Sequence, residues 1–72
     1  MILNAGGYSH TSVALRDAVA AIATPVIAVH LSDPANREPF RRTDLVAEVA
    51  ALTIKGEGPE GYVTALDAAA LL

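Results

Sequence analysis

The sequence predicts an α/β domain, a parallel sheet with helices packed against it. Short apolar runs rich in β-branched residues alternate with stretches of helical periodicity. The segment between the first two runs is long enough for a helical crossover, the connection that parallel strands require. The composition of the 72 residues, 53% hydrophobic but only 4% aromatic and 18% charged, suits close helix-on-sheet packing and not disorder. The same numbers exclude other classes. Cysteine is absent, which removes disulfide staples, zinc ribbons and thiol chemistry. A net charge of −3 argues against a nucleic-acid binder, which normally carries a basic face. No apolar run approaches the roughly 20 residues that span a bilayer, and the N-terminus lacks the basic start and long apolar region of a signal peptide. The expectation is a soluble, unexported chain without a membrane partner. A chain this short buries only about 60% of the surface its unfolded form exposes, so oligomerisation is an expected source of stability.

Taken in order, Met1-Ile2-Leu3 is a short strand that stops at the turn composition of Asn4-Ala5-Gly6-Gly7. From Ser12 to Ala23, Leu15, Ala18, Val19 and Ile22 recur at helical spacing, with Thr11 or Ser12 placed to cap the first turn. Thr24-Pro25 ends that helix, because proline disfavours helical geometry in the residue before it. Val26-Ile27-Ala28-Val29 then reads as a buried strand. Residues 30–42 are polar and irregular: Asp33-Pro34 can open a short helical turn, and Pro39 limits any helix beyond it. Leu45 to Ala51 fits either a helical turn or an extended approach. Leu52-Thr53-Ile54-Lys55 is the third strand, and Pro59-Glu60 opens a final helix running through Tyr62, Leu66, Ala69 and Ala70. Ligands of such sheets bind at the carboxyl ends of the strands, which here carry Asn4-Ala5-Gly6-Gly7, His30-Leu31-Ser32 and Gly56-Glu57-Gly58.

Each of these ends has a chemical and a plain reading. Glycines after a strand let backbone N–H groups approach an anion, with Asn4 and His10 as hydrogen-bonding side chains; a simple turn with a capping polar run is the alternative. His30 is an imidazole at a strand end and a candidate general acid, or else a half-buried histidine bonded to a loop carbonyl. Arg37, Arg41 and Arg42 can clamp a carboxylate or phosphate, or form a solvated face with Glu38 and Asp44 as partners. Asp17, Glu48 and Asp67 read as surface carboxylates.

The stretch from Ile2 through Asn4-Ala-Gly-Gly-Tyr-Ser-His10-Thr-Ser-Val-Ala-Leu-Arg-Asp17, followed by Pro25-Val-Ile-Ala-Val-His30-Leu-Ser, Arg37-Glu-Pro-Phe-Arg41 and Gly56-x-Gly-x-x-Gly61-Tyr62, resembles type II 3-dehydroquinate dehydratase over essentially the whole chain. The block from Asn4 to Asp17 is highly specific. The resemblance implies a flavodoxin-like parallel sheet with flanking helices, with residues 1–72 forming the C-terminal half of the domain. It implies a cytoplasmic lyase of the shikimate pathway, a homo-oligomer built from trimers into dodecamers, and dehydration of 3-dehydroquinate through an enolate by anti elimination, without cofactor or metal. In that pattern His30 is the proton donor to the departing hydroxyl, and Asn4 and His10 are substrate ligands. Leu31 and Ser32 contact the substrate carboxylate, Arg41 binds a ring hydroxyl, and Asp17 is offered to a neighbouring subunit's site.

The sequence also departs from the family's pattern. The base of these enzymes is a tyrosine on a mobile loop of the N-terminal half, with an arginine on the same lid, and neither Tyr8 nor Tyr62 matches its position. Ala28 stands where a glutamate usually supports the site's histidine, Asp33 replaces an asparagine, and Thr43-Asp44 diverges from a histidine-bearing pattern. A second reading is therefore a non-catalytic anion-binding or assembly module of the same fold. On either reading, half a parallel domain is expected to leave a sheet edge and much of one sheet face bare.

Overall fold

The run richest in β-branched side chains, Val26 to Val29, lies in the centre of the sheet. The computed structural model describes residues 1–72 apart from the side chain of Ala35. In it Ile27–His30 forms strand β2, flanked by β1 (Ile2–Leu3) and β3 (Leu52–Lys55), with both pairs parallel. The register sets Ile2 beside Ile27, and Ile27 to His30 beside Leu52 to Lys55. β2 and β3 end level at His30 and Lys55, and β1 ends at Leu3 beside Ala28, two residues earlier, so that all three carboxyl ends lie towards the same end of the sheet. The expectation for β2 was offset by one residue, so that His30 is the last strand residue and not the first beyond it.

Parallel strands bury both faces, and the alternation along β2 shows how. Ile27 and Val29 are fully buried with Ile54 and Ala65 in one cluster, which helix α2 (Glu60–Ala69) covers. Val26 and Ala28 join Val19 and Val46 in the opposite cluster. There helix α1 (Val13–Ala21) and a helical turn through 45–49 supply the cover. Each sheet face therefore carries a packed cluster, which corrects the expectation of one largely bare face. The turn decides this: Val46 is fully buried, and its carbonyl accepts from the N–H groups of Val49 and Ala50 at 3.1 and 3.0 Å.

The helices follow local chemistry closely. Ser12 caps α1 through an Oγ that accepts the Leu15 N–H at 3.0 Å, which settles the choice between Thr11 and Ser12. The helix ends at Ala21, and Ile22 is already extended and exposed. In α2 the buried face is Gly61 and Ala65 with Ala68 and Ala69 half-buried, whereas Tyr62 and Leu66 face outward. Small residues face the sheet because α2 lies close against it. A Cβ at Gly61 would meet Val29 Cγ1 at 3.3 Å and Ile54 Cγ2 at 3.6 Å. Substitution Gly61→Val is accordingly expected to cost about 1–3 kcal/mol by overpacking. A lowered urea midpoint at unchanged slope checks this; a variant as stable as the parent would mean that the contact is loose.

Candidate functional site at the carboxyl ends of the strands

The polypeptide leaving β1 turns at once into a 3-10 helix, Gly6–His10. Gly6 has φ +58°, a region that side-chain-bearing residues rarely adopt. Asn4 holds this turn, its Oδ1 accepting the Gly6 N–H at 3.1 Å while its Nδ2 donates to the Tyr62 hydroxyl at 2.9 Å. A backbone N–H can only donate, so this pair fixes which way the amide points. The turn carries His10 towards β2. There His10 stacks on His30, with ring centroids 6.2 Å apart and planes inclined by 15°. Phe40 meets the His10 ring edge-on at 6.1 Å.

The two imidazoles are oriented by consecutive residues. His10 Nδ1 lies 2.7 Å from the Thr43 carbonyl oxygen, and because a carbonyl only accepts, Nδ1 carries the proton. His30, buried at the end of β2, has Nε2 2.9 Å from Oδ2 of Asp44. The other Asp44 oxygen accepts the Ala47 N–H at 2.9 Å, so both carboxylate oxygens are held. The sequence reading had paired Asp44 with the arginines; the structure gives it to His30 instead. No local spacing announces this, since 14 residues separate the partners.

A half-open cavity of about 170 Å³ lies in front of these groups. Asn4, Gly6, Gly7 and His10 line it from the first strand end, and His30, Leu31 and Ser32 from the second. Pro34, Arg37 and Arg41 close the third side. Six of the seven residues singled out beforehand, Asn4, His10, His30, Leu31, Ser32 and Arg41, thus meet around one space. Asp17 does not: it is exposed on α1, paired with Arg16 at 3.2 Å, outside the cavity lining. Arg37 was not singled out individually, yet it lines the cavity. Arg42 instead faces a second hollow of about 180 Å³ together with Lys55, Thr53 and Asp44, so the three arginines do not form one clamp. Asp33 is 4.0 Å from Lys55 Nζ and absent from the first cavity's lining.

The cavity is basic. Among the described residues none of its lining groups is a carboxylate, and two guanidinium groups and two imidazoles face it. Arg41 is braced from behind, over the Phe40 ring at 4.8 Å and against the Glu38 carboxylate through its Nε. The Glu38 carboxyl is held below its ordinary range by its own backbone N–H and then by Arg41. A lowered carboxyl contributes its interaction above the unfolded value of about 4.5 and loses it as pH falls through the lower folded value. The carboxyl 13C shift of Glu38 should therefore titrate with a midpoint below 4.5, with the Arg41 Nε–H resonance moving in step. A midpoint at or above 4.5 would mean that the pair does not form in solution.

A parallel α/β sheet that gathers two imidazoles, an amide, a hydroxyl and two arginines at its strand ends presents groups able to hydrogen-bond and pair with a small, oxygen-rich anion. One of those histidines is backed by a carboxylate, which is what a proton-transfer group needs. Comparison with known proteins agrees. The family described as Dehydroquinase class II matches residues 1–70, and this chain belongs to it. The chain is 56% identical over 66 residues to the 3-dehydroquinate dehydratase of Campylobacter jejuni subsp. doylei, covering 92% of this chain and 42% of that protein. It is 55% identical over 69 residues to the 3-dehydroquinate dehydratase of Hyphomonas neptunium, covering 96% and 47%. The crystal structure of type II dehydroquinase from Butyrivibrio crossotus superposes with a TM-score of 0.93 at 37% identity, covering 96% of this chain and 48% of that one. The chain spans about half the length of the curated relatives it matches.

Proposed function

We propose that this chain carries the proton-donating and substrate-gripping part of a 3-dehydroquinate dehydratase site, as the C-terminal half of such a domain. The observation that carries the reading is the meeting of Asn4, His10, His30, Leu31, Ser32 and Arg41 around one basic cavity at the strand ends. In the reaction a base removes a proton from carbon, the electrons pass into an enolate, and the carbon–oxygen bond to the hydroxyl on the opposite face then breaks. His30 gives its proton to that departing oxygen, which leaves as water. Ser32 and the Leu31 backbone take the substrate carboxylate, Arg41 a ring hydroxyl, and Asn4 and His10 fix the ring by further hydrogen bonds. Each contact is directional, and together they orient a polyhydroxylated anion whose barrier falls chiefly through positioning and charge stabilisation.

In this reading the base is a tyrosine supplied by the N-terminal half of the domain. Tyr62 is not a substitute, since its hydroxyl accepts from Asn4 and it stands outside the cavity lining. The reading extends to a cytoplasmic homo-oligomer of the shikimate pathway in which Asp17 reaches a neighbouring subunit's site. Its support is the exposure of Asp17 and of the apolar Val63, Leu66, Leu71 and Leu72, surfaces that an assembly covers. Among the described residues no helix is long and apolar enough to cross a membrane. The test is to combine the chain with the N-terminal half of the Campylobacter jejuni relative and add 3-dehydroquinate. Growth of the enone absorbance of 3-dehydroshikimate is expected. Binding of 3-dehydroquinate without product would favour a non-catalytic module.

A further inference from the structure

His30 lies on β2 and His10 on the turn after β1, yet the single dipeptide Thr43-Asp44 holds both rings, one through a carbonyl and the other through a carboxylate. The side chain two residues before His30 on the same strand face is Ala28, buried among Val19, Val26 and Val46, so the strand itself offers the histidine no acidic partner. The carboxylate arrives from the loop after residues 39–42 instead. It is not a casual surface pair: the side chains of His30 and Asp44 are only 8% and 19% exposed, and the second Asp44 oxygen is tied to Ala47 N–H. His30 Nδ1 has no hydrogen-bond partner among the described residues, and the ring lines the cavity.

We infer that Asp44 is the positioning residue for His30, fixing the Nε2–H tautomer and leaving Nδ1 as the nitrogen that delivers the proton. The inference rests on the reading of His30 as proton donor. In the doubly protonated ring, Nδ1–H gives its proton to the departing hydroxyl oxygen, the carbon–oxygen electron pair goes to that oxygen, and water leaves. What remains is neutral imidazole with Nε2–H still donating to Asp44, so the carboxylate never has to take a proton. A carboxylate that holds a histidine's tautomer without becoming protonated is a known arrangement in other proton-transfer sites. Here the residue that does it comes from a different segment than the strand bearing the histidine.

The 72-residue chain with 15N-labelled histidine tests this directly. Long-range 15N–1H correlations of the neutral ring are expected to show the Nε2–H tautomer of His30 in the parent. In Asp44→Asn, whose oxygen keeps Ala47 N–H and whose NH₂ faces the ring, the proton is expected to move to Nδ1. Asp44→Glu, which keeps the carboxylate, is expected to restore Nε2–H. If Asp44→Asn does not fold, Asp44→Ser, which retains an acceptor for Ala47, provides the comparison and is expected to lose the preference for Nε2–H. An unchanged Nε2–H tautomer in the folded Asn or Ser variant would overturn the inference. In the complemented enzyme, kcat of Asp44→Asn should fall about 10- to 100-fold with KM little changed, whereas an effect on KM alone would contradict a role through His30. Failure of the functional reading is separable, because it shows as undiminished turnover in His30→Ala whatever the tautomer does.

Discussion

Substitution His30→Ala is expected to lower turnover of 3-dehydroquinate by about 10²–10⁴-fold, the contribution that a positioned general acid makes, while 3-dehydroquinate still binds. The reasoning starts from β2. Its buried run fixes the strand, the strand fixes the Cα of residue 30 at its carboxyl end, and Asp44 fixes the ring. Alanine removes the only imidazole held by a carboxylate among the described residues, whereas the His10 ring is held by the Thr43 backbone carbonyl. The contacts proposed for Asn4 and Arg41 come from other segments and that of Ser32 from its own hydroxyl, so the substitution leaves these groups in place. The measurement is initial rate against substrate concentration in the complemented enzyme, with a thermal melt to show that the variant folds. Loss of binding together with turnover would place His30 among the gripping groups instead.

Substitution Ile27→Ala is expected to leave the chain largely unfolded. Ile27 is fully buried in the central strand, paired with Ile2 on one side and Leu52 on the other, and packs with Val29, Ile54 and Ala65 beneath α2. Truncating such a side chain costs about 2–5 kcal/mol, comparable with the roughly 3–5 kcal/mol that one core in a chain of this size supplies. Its neighbours in that cluster, Val29, Ile54 and Ala65, are themselves buried, so filling the gap requires packed groups to move. Far-UV circular dichroism against urea checks this: the parent should show a cooperative transition that the variant lacks. A variant with a midpoint near the parent's would mean that the α2 face of the sheet contributes little to stability.

The fold was largely legible because its signals are local. β-branched runs gave the strands, Ser12 gave a cap, and Pro59-Glu60 gave a helix start. What periodicity did not show was the inward side of α2: Tyr62 and Leu66 are its large apolar or aromatic residues, yet close helix–sheet packing selects Gly61 and Ala65 for the interface. The segment 45–51 had no periodic signature, and only the tertiary structure shows that Val46 plugs the second core. For the site, the rule that ligands bind at strand carboxyl ends points to the segments bearing Asn4, His10, His30, Leu31 and Ser32, and these residues line one cavity. The partnership of Asp44 with His30 was not legible. Loss of a carboxylate at position 28 reads from sequence as loss of the histidine's support, and only three dimensions show that a loop 14 residues away brings one back.

That the cavity between the first two strand ends grips 3-dehydroquinate is tested most directly by adding that compound to the 15N-labelled chain and mapping the resonances that move. The largest shifts are predicted at Asn4, Gly6, His10, His30, Ser32 and the Arg41 side chain, all of which line that cavity. Shifts confined to Arg42, Thr53 and Lys55, around the second hollow, or no shifts at millimolar ligand, would contradict it.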